Sequence, residues 1–134
     1  MLSIYKSPQY LVRSIGMTLA GGLLAMPAIA ATFLSALEDI PLPKGMSETV
    51  NSVEFHSPYG RIVESTARGI ATELDVQSFY SQSMPALGWQ QINTQTLAFR
   101  RGEETLYLDF SRVDDQLSVH YRLVVRPAPS KMDG

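Results

Sequence analysis

The sequence predicts a small α+β domain: one helix packed on an antiparallel β-sheet, in the order ββαβββ(β), preceded by an N-terminal signal or anchor helix. Three observations predict this class. Two strand hairpins, assigned separately, direct their apolar residues to one shared face. One segment, from Asp75 to Leu87, carries apolar residues at helical spacing. An uncharged stretch, from Ser14 to Leu37, follows the basic residues Lys6 and Arg13.

The uncharged stretch indicates export. An apolar core from Ile15 to Leu24, the helix-breaking Pro27 and the small residues Ala28-Ile29-Ala30 are typical of a secretory signal that is cleaved after Ala30. Retention as a membrane anchor is the alternative, because about 20 apolar residues suffice to cross a bilayer. We therefore expect a periplasmic protein, or an inner-membrane protein with a periplasmic domain if Ser14–Leu37 is retained.

The sequence divides into four parts: a signal peptide or membrane anchor (1–30), a proline-containing arm or linker (31–49), the α+β domain (50–126) and a disordered tail (127–134). The arm contains Ile40-Pro41-Leu42-Pro43, which its prolines should hold extended. Such an arm packs either on its own domain or on a partner. The sequence leaves both open.

Charge and cysteine content exclude several classes of function. Lys6 and Arg13 lie in the predicted signal, so nine basic residues face thirteen acidic ones in the exported part, a net charge of −4. This balance argues against a nucleic-acid partner, which requires concentrated positive charge. The chain contains no cysteine, which excludes disulfides, thiol chemistry and a lipoprotein anchor.

The first hairpin surrounds Ser57-Pro58-Tyr59-Gly60. Proline at the first loop position and glycine at the third predict a three-residue loop with a glycine bulge. This loop sets Phe55 opposite Val63 and Val53 opposite Ser65, on one buried face.

The helix follows the first hairpin, with Asp75 as its predicted N-cap. Gly88 predicts its end, since glycine enters the left-handed conformation without strain. Pro85 either kinks the last turn, or the helix ends near Ser83 and Pro85 begins a separate short turn. The apolar positions at helical spacing are Val76, Phe79, Tyr80 and Leu87.

A meander of strands follows Trp89. Gly102-Glu103 fits a two-residue type II′ loop, and an even-length loop around Asp114-Asp115 returns the chain. The predicted pairs on the buried face are Phe99 with Leu106, Leu97 with Leu108, Phe110 with Val119, Leu108 with Tyr121, and Leu106 with Leu123. We expect the helix, with Phe79, Tyr80 and Trp89, to cover this face.

The opposite face of the sheet is predicted to be polar and open. This register sets Asp109 opposite His120 and Tyr107 opposite Arg122. An Asp–His pair beside serines is superficially similar to a hydrolase triad, but mid-strand serines lack the strained position and oxyanion hole of a nucleophile. The candidate residues for binding a partner are Tyr59, Arg100, Tyr107, Asp109, His120 and Arg122.

We expect no catalytic residues, no metal site and no cofactor. His56 has no other ligand at metal-binding spacing. The carboxylate pairs lie in the arm or at hairpin tips and lack the regular ligand run of a calcium loop.

Three motifs follow one another: a proline-bearing lead-in from Asp39 to Gly45, a strand hairpin from Ser57 to Glu64, and a helix with Phe79-Tyr80 and the sequence MPALGW ending at Trp89. This order resembles small exported proteins and lipoprotein domains of Gram-negative bacteria, in which an FY…MPxLGW helix precedes a meander of strands. The likeness covers roughly residues 39–110. It implies fold and compartment, and the lipoprotein members carry an anchoring cysteine that this chain lacks.

The leading functional prediction is a non-enzymatic periplasmic accessory domain. It would bind another envelope protein through the open face of the sheet, a sheet edge or the proline arm. The alternatives are an anchored subunit of an inner-membrane complex, and a domain that holds a small apolar ligand between helix and sheet.

Overall fold

A computed structural model describes Gly22, residues 31–49 and residues 52–129. Apart from Gly22, the predicted signal or anchor (1–30) lies outside the described residues, and so do the last five residues of the predicted tail. Within the described ranges, no helix has the length and apolar character that a membrane span requires. Residues 31–37, the end of the predicted Ser14–Leu37 span, are not helical, so a retained anchor would have to end earlier.

In this part of the chain the structure contains seven strands and one α-helix, which confirms the α+β class. The elements are β1 (Met46–Glu48), β2 (Val53–Ser57), β3 (Gly60–Gly69), α1 (Glu73–Ser83), a 3₁₀ turn (Pro85–Leu87), β4 (Gln90–Asn93), β5 (Leu97–Arg101), β6 (Glu104–Val113) and β7 (Gln116–Val125).

All strand pairs are antiparallel, in the order β1–β3–β7–β6–β5–β4, and β2 also pairs with β3 beyond the end of β1. After β3 the chain passes through α1 to β4 at the far edge, and β4 to β7 then return as a meander beside β3. The strands β3, β6 and β7 are each ten residues long and form the centre of the sheet.

The registers predicted for the meander are confirmed. All five predicted pairs form, from Leu97 with Leu108 to Phe110 with Val119. Gly102 has φ +56°, as the first position of a type II′ loop requires. Asp114 and Asp115 both adopt positive φ, 51° and 63°, which closes the last hairpin as a primed two-residue loop.

The register predicted for the first hairpin is wrong by one residue. Ser57 pairs directly with Gly60, so the loop contains two residues, and Phe55 lies opposite Ile62 instead of Val63. Gly60 is required for another reason: it has φ +140°, and a Cβ there would lie 2.2 Å from the Val125 carbonyl oxygen on β7. A shift of one residue moves side chains to the other face, which places Val53 and Phe55 on the open side.

The helix begins earlier than predicted. Thr72, and not Asp75, is the N-cap, and its Oγ1 accepts a hydrogen bond from the Asp75 backbone N–H with an N···O distance of 3.1 Å. Asp75 instead lies in the first turn, where a carboxylate favours the positive end of the helix dipole. The second alternative for Pro85 is the observed one, since it begins a separate 3₁₀ turn that ends at Gly88 with φ +86°.

The proline-containing arm packs on its own domain. It folds back on itself: the Leu34 N–H donates to the Ile40 carbonyl, and the Leu42 N–H donates to the Thr32 carbonyl. Pro41 pairs with Phe33 in an antiparallel bridge, so the proline stretch is extended and packs on its own domain, and the hydrophobic core begins well before residue 50. The buried arm residues are Leu34, Leu37, Ile40, Pro41, Leu42, Pro43 and Met46.

One buried hydrogen-bond chain joins the arm, the helix and the sheet. The Tyr80 hydroxyl donates to the Pro41 carbonyl over 2.8 Å and lies 2.7 Å from the Tyr121 hydroxyl. Because the Tyr80 proton is used by Pro41, Tyr121 donates to Tyr80. Burial raises the pKa of both phenols, that of Tyr121 to about 12, so both are neutral near pH 7.

A second polar contact fixes the arm to the edge of the sheet. Glu48 on β1 accepts hydrogen bonds from the Ser65 hydroxyl (2.6 Å) and from the backbone N–H and hydroxyl of Ser35, each 3.0 Å away. Burial by itself would raise the pKa of Glu48, but these hydrogen bonds outweigh it and hold the pKa below its ordinary value of 4.5.

We expect Tyr80→Phe to destabilise the fold more than Tyr121→Phe. Tyr80→Phe leaves both the Pro41 carbonyl and the Tyr121 hydroxyl unpaired, and each buried orphan costs roughly 1–3 kcal/mol. Tyr121→Phe removes the terminal donor while Tyr80 still binds Pro41, for a loss of about 1 kcal/mol. Urea unfolding of the two variants measures the difference. Equal losses would contradict the direction of this hydrogen-bond chain.

Glu48 should make stability depend on pH in the acid range. The pKa of Glu48 is lower in the folded state than in the unfolded state. Its contribution to the free energy of unfolding is therefore complete above its ordinary pKa, and it disappears as the pH falls through the pKa of the folded state. The free energy of unfolding of the native chain should therefore fall more steeply than that of Glu48→Gln as the pH drops below about 4.5. Parallel slopes for the two proteins would show that the serine contacts do not select the ionised carboxylate.

Candidate functional site

The open face of the sheet, opposite α1, is organised in rows that cross the strands. The strand registers align one row from the first hairpin to β5, and a second row beside it contains Glu64, Arg122 and Tyr107. The first row consists of Phe55, Ile62, Val124, Thr105 and Arg100. Apolar side chains therefore lie at the hairpin end of this row, and Arg100 lies on β5, followed by Gln90 on the edge strand β4.

Three arginines surround one cleft at the end of this face. The cleft has a volume of about 500 Å³ and lies over β5, β6 and β7, next to the β5–β6 loop. We call it the basic cleft, and it is lined by Arg100, Gly102, Glu103, Thr105, Tyr107, Arg122, Val124 and Arg126.

The basic cleft carries an excess of positive charge. Among the described residues, Arg100, Arg122 and Arg126 form no ion pair with a carboxylate, and Glu103 is the one acidic residue in the lining. The Arg122 guanidinium lies 5.1 Å from the centre of the Tyr107 ring, a cation–π contact that orients it. The cleft can therefore attract an anion, and carboxylate and phosphate groups match the guanidinium fork.

The neighbouring Arg101 has a structural role on the other face. It pairs with Asp39 of the arm and with Glu104 across the loop, and it donates to the Leu87 carbonyl at the helix end. Its guanidinium also covers the Trp89 ring at 4.3 Å. These contacts of Arg101 hold the arm, the 3₁₀ turn and β5 together.

Asp109 and His120 form no ion pair with each other. The two residues are opposite each other in the register, as predicted. The carboxylate nearest to His120 is instead that of Glu64 on β3, with a distance of 3.8 Å between Nε2 and Oε2, and Asp109 has no ion pair within the described ranges. No cluster of three or more His, Cys, Asp or Glu residues in those ranges is placed to hold a metal ion.

A second cleft, of about 330 Å³, adjoins the first at the two-residue loop of the first hairpin. Three of its side chains are apolar or aromatic and exposed: Tyr59 at 87%, Phe55 at 59% and Ile62 at 38%. Val124 and Arg126 line both clefts. We call this second site the hairpin cleft, and it is lined by Phe55, His56, Ser57, Tyr59, Gly60, Arg61, Ile62, Val124, Val125 and Arg126.

The structure brings together three of the predicted site residues, Arg100, Tyr107 and Arg122, in the basic cleft. Tyr59 lies in the adjoining hairpin cleft, whereas Asp109 and His120 line neither.

The sequence interpretation missed Arg126, Phe55 and Ile62. Arg126 continues the alternation of positions 122 and 124, a signal that was present in the sequence. Phe55 was missed because the register of the first hairpin was wrong by one residue, whereas Ile62 lies on the open face in either register.

The chain matches no protein-family model, no curated protein and no solved structure. The resemblance to exported Gram-negative domains therefore stays a prediction, and the function must follow from the geometry of the two clefts.

Proposed function

We propose that this chain is a non-enzymatic interaction domain of the bacterial envelope, and that its basic cleft binds an acidic segment of another envelope protein. The observation that carries the proposal is the convergence of Arg100, Arg122 and Arg126 around one cleft, without a carboxylate partner among the described residues. An arginine fork binds a carboxylate with two parallel hydrogen bonds, which gives both charge and geometric recognition.

Negative charge on the same face favours a short acidic segment over a nucleic acid. Glu64, Glu103 and Asp109 lie in or beside the rows that hold the arginines. A long polyanion would bring phosphates close to these carboxylates, whereas a peptide of a few residues can stay over the arginines. The excess of acids over bases in the whole chain also gives no general attraction to a polyanion.

A small apolar ligand between helix and sheet has less support. The side chains that meet there, including Val76, Tyr80, Met84 and Val119, each have 0% exposure and pack against one another. Both clefts described above lie elsewhere, on the open face and at the first hairpin.

The proposed compartment rests on the uncharged stretch before Leu37. Leu34 and Leu37 pack in the core of the domain, so this end of the stretch is not available to a membrane helix, which fits cleavage after Ala30. The anchored alternative needs a membrane helix that ends before residue 31.

Export is tested by the intact mass of the natively expressed chain in soluble envelope and membrane fractions. We expect a species that begins at Ala31 and is released by osmotic shock, because the A-x-A pattern ends at Ala30. A full-length species that requires detergent for extraction would overturn the soluble periplasmic assignment in favour of an anchored subunit.

Binding is tested with a labelled peptide of alternating glutamate and serine and the full chain. We expect saturable binding that weakens with rising salt, because partly exposed ion pairs are screened. Arg122→Ala should reduce the affinity about fivefold to tenfold, as loss of one charge-assisted hydrogen-bond pair at a partly exposed site predicts.

Arg68→Ala is the matched control, since Arg68 lies on the same open face but lines neither cleft. The melting temperatures of both variants should match that of the native chain. Equal weakening by the two substitutions would argue against the basic cleft, and so would tighter binding of a single-stranded oligonucleotide than of the peptide.

A further inference from the structure

The hairpin cleft exposes apolar side chains directly beside the basic cleft. Phe55, Tyr59 and Ile62 are exposed at 59%, 87% and 38%, and they are neighbours around one hairpin. Apolar side chains clustered in this way are typical of a contact surface, whereas scattered ones are common on any protein. The two clefts share Val124 and Arg126, so their linings are continuous.

The strand registers determine the distance between the apolar side chains of the hairpin cleft and Arg100 of the basic cleft. Ile62, Val124, Thr105 and Arg100 are successive cross-strand neighbours on β3, β7, β6 and β5. Adjacent strands lie about 4.8 Å apart, so three steps separate Ile62 from Arg100 by about 14 Å. An extended peptide advances about 3.3 Å per residue and covers this distance in about four residues.

We infer that the two clefts form one binding groove for an extended segment that carries an acidic residue and, about four positions away, an aromatic or branched aliphatic residue. The carboxylate lies among Arg100, Arg122 and Arg126, and the apolar side chain lies against Phe55, Ile62 and Val124. This inference rests on the proposed function and adds the composition and spacing of the partner segment. The positive charge of the basic cleft determines where the acidic residue of the segment binds. Because the hairpin cleft shares part of this lining, the segment extends from the basic cleft toward the first hairpin.

The test compares three labelled peptides with the full chain. The first contains only glutamate and serine. The second has one leucine four positions from the nearest glutamate, and the third has the same leucine directly beside a glutamate. We expect the second peptide to bind about fivefold to tenfold tighter than the first, as partial burial of one leucine side chain predicts. The third should bind no tighter than the first.

Phe55→Ala should abolish the gain from leucine, and its melting temperature should match that of the native chain, which shows that the variant is folded. Leu74→Ala is the matched control, because Leu74 is an apolar residue of 74% exposure that lines neither cleft.

The two proposals fail in different ways. If the first peptide binds but leucine adds nothing, or Phe55→Ala keeps the gain, the joined groove is overturned while the basic cleft stands. A third peptide as tight as the second overturns the spacing. If none of the peptides binds, the proposed function is overturned as well.

Discussion

The buried hydrogen-bond chain from Tyr121 through Tyr80 to Pro41 is the interaction on which the rest of the structure depends. It joins the sheet, the helix and the proline-containing arm at one point, inside a core where an unpaired hydroxyl or carbonyl would be costly. Together the helix and the arm cover one face of the sheet. The other face is left to present its side chains outward, and the candidate binding residues lie there.

Alternation of apolar and polar residues was sufficient to predict the meander and half of the site. The loops at Gly102 and at Asp114 contain two residues each, so local sequence determines both the turn and the register. Once the registers were known, Arg100, Tyr107 and Arg122 had to share the open face. Alternation also separates Arg100, which lines the cleft, from Arg101, which holds the arm and Trp89 on the opposite face.

Contacts between distant residues account for what the sequence could not predict. Gly60 looks like a residue that closes a three-residue loop, but its missing Cβ makes room for the Val125 carbonyl, 65 positions further along the chain. The resulting one-residue change of register exposes Phe55 and thereby creates the apolar half of the groove. The sequence also leaves open whether the arm packs on its own domain, because the burial of its leucines depends on residues that are distant in the chain.

The central claim is that the open face binds an acidic segment of a partner. The most direct test is amide chemical-shift mapping of the ¹⁵N-labelled full chain during titration with the glutamate–serine peptide. The account predicts that the largest shifts occur in residues 100–107 and 122–126, and that α1 and the arm change little. Shifts concentrated in α1 or in the arm, or no shifts at saturating peptide, would contradict it.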